Sequence, residues 1–273
     1  MATSRLITTG LGVLLLATLT GCPNGALYRT ARTLEPGEAD VSYTFSATRI
    51  AQSDYETTDE NGDKVTEKGD SVVLPNLIPE ISAHVGVVDN LEIGGRLGLG
   101  SMMMELDAKY RFVGDKDARM HVAIQPAVGY RTFVFVEGVH ATLPLIMTYD
   151  ITPFLSVNFA PFVSYTNYEA VDDDLDVDFA VTALQAGGGV GLQFRGETFH
   201  LMPGVEVSRT FAQAEAEGSQ ADADFTFVNF GVTFGFIYGR ELKEIKRTQE
   251  KLDDMDKKLD RINDKLDKAA PEG

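Results

Sequence analysis

The residues with the most chemical reach are the chain's four histidines and one run of alternating charge. His84, His121, His140 and His200 each stand between apolar neighbours in a stretch where apolar and polar residues alternate. Beside a carboxylate, such a histidine can carry protons or activate a nucleophile, so a hydrolase has to be weighed. Glu105, Asp107, Lys109 and Arg111 are separated by single residues, among them Leu106 and Tyr110. In a strand all four charges share one face. No Ser, His and Asn set, and no Asp and His set near the long loops, can be assembled from the spacing. The catalytic set is therefore read as none, and the histidines as structural groups.

Metal and phosphate chemistry are weaker. Asp59-x-Asn61-x-Asp63 starts like a calcium loop but has Lys64 where glycine is required and Asp70 where a bidentate glutamate is required. The acidic run Asp172 to Asp178 reads as a self-repelling surface loop. Gly187, Gly189 and Gly191 alternate, so they form a close-packing stripe rather than a phosphate loop. No metal and no cofactor is expected. A net charge of −17 over 273 residues excludes nucleic acid as a partner, and the single cysteine excludes a disulfide framework.

These side chains are carried by a pattern that starts at Asp40 and runs for about two hundred residues. Ten runs alternate large apolar with small or polar residues. Val41, Tyr43 and Phe45 oppose Ser42, Thr44 and Ser46 in the first, and Phe230, Val232, Phe234, Phe236 and Tyr238 oppose Asn229, Gly231, Thr233 and Gly235 in the last. Each run has the length a tilted strand needs to cross a bilayer. The links after the second, fourth, sixth and eighth runs are short. Those after the first, seventh and ninth are long and acidic. Gly100-Ser101, after the third, is short and breaks the pattern.

Two more segments have other patterns. Residues 1–21 pair Arg5 with an apolar core and small residues, the order of an export signal. Residues 241–269 place Ile245, Leu252, Leu259 and Leu266 seven apart, with Thr248, Met255, Ile262 and Ala269 at the second seam position. That is an a/d heptad repeat.

Leu19-Thr20-Gly21-Cys22 resembles the lipobox of bacterial lipoproteins. Asn229, Gly231, Phe234 and Phe236 resemble the terminal-strand assembly signal of Gram-negative outer-membrane β-barrels. The resemblance implies an all-β fold: a closed antiparallel transmembrane barrel of about ten strands with a C-terminal helix. It divides the chain into signal peptide 1–21, lipidated tether 22–37, barrel 38–239 and periplasmic helix and tail 240–273. The lipid sits on Cys22, and the anchor and helix face the periplasm. The implied partners are outer-membrane lipids and the barrel-assembly and lipoprotein-sorting machinery. A homo-oligomer through the 241–269 helix and a single helix resting on the barrel rim both fit.

A charge at the bilayer midplane on the lipid face costs about 2 to 4 kcal/mol, which turns the fourth run's charges inward. Glu92, Arg96, Glu105, Asp107, Lys109, Arg111, His121, Gln125, His140 and Glu206 then line the lumen. A narrow porin-like channel for small solutes or ions leads the functional readings. A structural or adhesive barrel with a plugged lumen, a barrel hydrolase, and a soluble periplasmic β-sandwich lipoprotein are the alternatives.

Overall fold

Alternation with period two commits each run to a strand with one greasy face, and strands of this kind bury their backbone polar groups only by pairing on both sides. The computed structural model describes residues 28–52, 55–58, 64–67, 71–98, 102–133, 136–170, 179–216, 219–239, 248–249 and 251–259. The export segment, Cys22, the Asp59 to Asp63 motif, Asp70 and the acidic run 172–178 lie outside them, as do Ile245, Ile262, Leu266 and Ala269 of the heptad.

In chain order the strands are β1 (Ala39–Gln52), β2 (Tyr55–Thr58), β3 (Lys64–Glu67), β4 (Ser71–Val88), β5 (Leu91–Gly98), β6 (Met103–Val113), β7 (Met120–Ile124), β8 (Ala127–Phe133), β9 (Val136–Thr152), β10 (Leu155–Ala170), β11 (Phe179–Arg195), β12 (Phe199–Ala216) and β13 (Ser219–Tyr238). β2 and β3 pair only with each other. The rest form one antiparallel sheet that closes on itself. β13 pairs with β1 from Ala39↔Tyr238 to Gln52↔Phe225, so first and last strand meet along their whole length. β7 and β8 are two halves of one wall strand, both lying between β6 and β9. Pro126, which has no N–H to give the ladder, stands at the break between them. The wall therefore has ten strands, and one closed sheet replaces the two facing sheets of a sandwich.

The strands run further than the apolar alternation does. Residues 209–216 and 219–223, which read as part of a long acidic loop, continue β12 and β13. Residues 50–52 and 71–72 likewise extend β1 and β4, and residues 166–170 extend β10. Backbone pairing needs no greasy side chain, and small or polar residues suit a wall that rises above the apolar zone.

The two faces are inverted relative to a water-soluble barrel. Leu106 is 65% exposed while its neighbour Asp107 is 8% exposed, and Val128, Leu184, Val207 and Phe230 also point outward. A continuous apolar belt of this kind far exceeds the patches that monomeric soluble proteins tolerate and fits hydrocarbon instead. Polar side chains fill the inside. At the end bearing the long links the lumen becomes apolar, where Ile50, Phe225 and Phe227 cluster with Leu74 packed against them.

The stretch read as a tether is folded inward. Tyr28, Thr30, Ala31 and Leu34 are buried. Ala31 packs on Ala123, Ile146 and Ala160 of the wall, and Tyr28 packs on Met202. Residues 28–34 form a plug, and the chain leaves it through a turn at Gly37, whose φ of 81° suits glycine. Gly37 N–H donates to the Gly86 carbonyl at 3.0 Å, fastening the plug's exit to the wall.

Residues 248–249 and 251–259 are helical. Leu252, Met255 and Leu259 are exposed there, and Lys258 pairs with Asp254 one turn earlier at 2.8 Å.

Candidate functional site: the lumen

β6 supplies the centre of the lumen because its odd positions point inward. Glu105, Asp107 and Lys109 are buried there, and Arg111, nearer the short turns, is half-buried and donates to the Asp89 carbonyl at 2.9 Å. Neighbouring strands bring partners in two groups.

In the first, Arg96 on β5 donates to Glu80 at 3.2 Å and to Glu105 at 3.1 Å. His140 on β9 stands 2.9 Å from the same Glu105 oxygen. In the second, Asp107 has His84 at 2.8 Å on one oxygen and the Gln125 amide at 2.8 Å on the other. Glu206 lies further round the wall and accepts from Asn229 at 2.9 Å. His121 and His200 lie toward the short-turn end, at 3.4 Å from Asp150 and 2.6 Å from Asp40. Every histidine of the chain thus stands against a carboxylate. Removing one member of a buried pair leaves a charge out of water, at about 3 to 5 kcal/mol.

The plug completes the network. Arg29 pairs with Glu92, which also holds Lys109 at 2.9 Å. Lys109 in turn donates to the Thr30 carbonyl at 2.9 Å, and Arg32 pairs with Asp150. Backbone groups join too: Ala31 N–H donates to Thr148 at 2.8 Å and Leu34 N–H to Glu92 at 3.0 Å. Tyr28 lies over Gly231, where a Cβ would collide with its ring. Burial, then the negative charges of Glu206 and Glu80, push its phenol well above the ordinary value, so it stands as a neutral hydroxyl.

All ten residues read as lumen-lining face inward or sit at the lumen's turn end. Of the assembly-signal residues, Asn229 and Gly231 face inward, whereas Phe234 and Phe236 face outward; Phe234 stacks on Tyr43 with ring centroids 5.4 Å apart. Sequence reasoning left Glu80, Asp40, Asp150 and Arg131 out of the lumen set, although the alternation already put Arg131 on the polar face of its run. The other three were recoverable, since each continues the inward period of its run by one step. Arg29 and Arg32 carry no such signal.

Among the described residues, the cluster around His200 does not have the hydrolase geometry. Asp40 and Ser42 both address His200 Nε2, at 2.6 and 3.4 Å. A catalytic relay needs the acid and the nucleophile on opposite ring nitrogens.

A vestibule of about 860 Å³ opens at the short-turn end between Arg29, Arg32, Arg111, Lys116, Glu35 and Asp117. A second space, between Tyr28, Arg96 and Asp107, is about 30 Å³, room for a water molecule.

No protein-family model matches the chain, and no curated protein matches it. Among solved structures it is similar to the outer membrane protease OmpT from Escherichia coli, at 12% identity over 77% of this chain and 99% of that one, with a TM-score of 0.37. The COG4313 outer membrane channel from Pseudomonas putida F1 gives 8% identity over 76% and 98%, with a TM-score of 0.35. The outer membrane protein OprG from Pseudomonas aeruginosa gives 10% identity over 77% and 99%, with a TM-score of 0.33. The architecture of this chain rests on its own strand pairing.

Proposed function

We propose that this chain is an outer-membrane barrel lipoprotein whose lumen is a sealed polar core, acting as a structural or adhesive barrel that presents its long-link end. The plug carries this reading. Arg29 and Arg32 enter the lumen from the short-turn side and pair with buried Glu92 on β5 and Asp150 on β9, strands separated by β6 and the β7/β8 wall strand. Behind them stand the Glu80, Arg96, Glu105 and His140 cluster and then the apolar Ile50, Phe225 and Phe227 layer. Withdrawing the plug alone would still leave these two groups inside the barrel. The apolar belt supports residence in a bilayer, and the lipobox at Cys22 supports the lipid anchor and the periplasmic side for the short turns.

The test is conductance of the refolded chain in a planar bilayer. A sealed barrel gives no steady current steps at any holding voltage, and ohmic steps from the wild-type chain would reject it. A narrow channel is the second reading, favoured by the open vestibule that reaches the plug. Under that reading, conductance appears on cutting the plug's anchors with Arg29→Ala and Arg32→Ala.

A further inference from the structure

We infer that the C-terminal helix joins copies of this chain through a parallel bundle of three or four helices. On its described part, Leu252, Met255 and Leu259 are 54%, 57% and 53% exposed and lie at spacings of three and four. Those spacings put all three on one helix face. In sequence the face continues both ways, through Ile245 and Thr248 on one side and Ile262, Leu266 and Ala269 on the other. Four heptads are more than a helix resting on a rim needs, and a seam this narrow suits an identical seam better than a broad surface.

The flanking charges name the occupant and its direction. Glu244, Lys251, Lys258 and Lys265 take the same flanking position in successive heptads, while Gln249, Asp256 and Asn263 take the other. With the seams fully overlapped, an antiparallel pair sets Lys251 against Lys265 and places both Lys258 and Asp256 against their own copies. A parallel pair sets Lys251 of one copy against Asp256 of the next, with Glu244 and Lys258 facing the neutral amides of Gln249 and Asn263. The barrel imposes the same direction. β13 ends at Tyr238 on the short-turn end, so copies sharing one membrane orientation offer their helices from the same side. This step rests on the membrane-barrel reading above. Leucine at the first seam position with isoleucine at the second, as at Leu259 and Ile262, favours three or four strands over two.

The test is the mass of the full chain by light scattering in detergent, read beside its unboiled gel migration. The wild type is expected at three or four times the one-chain mass, and Leu252→Asp with Leu259→Asp at one, both keeping the gel shift of a closed barrel. Met255→Cys in a Cys22→Ser background is expected to form disulfide-linked pairs under mild oxidation, because only a parallel register sets position 255 against itself. One-chain mass for a wild type that keeps its gel shift overturns the proposal and leaves the barrel standing, as does an oligomer that survives both aspartates. A wild type without the gel shift overturns the barrel reading itself, and the parallel orientation with it.

Discussion

His84 and Asp107 stand two strands apart, yet His84 Nε2 lies 2.8 Å from the Asp107 carboxylate, and the residue between them is Gly94. His84, Gly94 and Asp107 form one row across β4, β5 and β6. The same row recurs as His140, Gly129 and Glu105 across β9, β8 and β6. His200 lies over Gly235 in a third case, with Ser42 completing the row on β1 and Asp40 two residues away. In each, a Cβ on the glycine would collide with the imidazole. Glycine leaves the gap through which the ring reaches past its neighbour.

Gly94→Ala and Gly129→Ala are therefore expected to cost about 1 to 3 kcal/mol each by overpacking. Gly188→Ala is the control, since its Cβ would meet nothing closer than 3.4 Å, and it should stay within about 0.5 kcal/mol. Urea unfolding of the refolded barrel in vesicles reads all three. Equal midpoints for Gly94→Ala and Gly188→Ala would remove the row as a packing device.

The plug is held by charge, so cutting its charges should free it while the wall stays closed. Arg29→Ala with Arg32→Ala leaves Glu92 its Lys109 partner and leaves Asp150 beside His121. Ala31→Cys in a Cys22→Ser background reports on the plug, because Ala31 is fully buried. A charged maleimide is expected to ignore that cysteine when the arginines are present and to label it at least tenfold faster without them. Fast labelling with both arginines in place would mean that the segment does not dwell in the lumen.

Phe234 and Phe236 lie on the outer face of the closing strand, where Phe234 stacks with Tyr43 across the β1–β13 seam. Phe234→Ser with Phe236→Ser removes apolar area from both the seam and the assembly signal. The double variant is expected to be lost from the membrane fraction and to migrate identically boiled and unboiled. Normal insertion would show that neither residue directs assembly.

The wall and its two faces were readable in the sequence because they depend on one local rule. Period two sorts Met104 and Leu106 from Glu105 and Asp107 with no knowledge of distant residues, and it held for all ten wall strands. The upper ends of β12 and β13 escaped that rule because Ala212, Ala214 and Ala216 give no hydrophobic contrast. The histidine rows escaped because they depend on register across three strands, which alternation within a strand leaves open. The plug escaped most completely. Its residues have no period, and its contacts join positions 58 to 118 apart in sequence.

The central claim is a barrel that is apolar outside and sealed inside, and the chain's lack of tryptophan allows one fluorescence measurement to test both halves. Leu106→Trp places an indole on the outward belt, and Tyr28→Trp places one in the plug. In lipid vesicles, brominated acyl chains are expected to quench the indole of Leu106→Trp strongly and that of Tyr28→Trp hardly at all, while aqueous acrylamide quenches neither. Acrylamide quenching at position 106 without bromine quenching would contradict the membrane belt, and free acrylamide access at position 28 would contradict the sealed lumen.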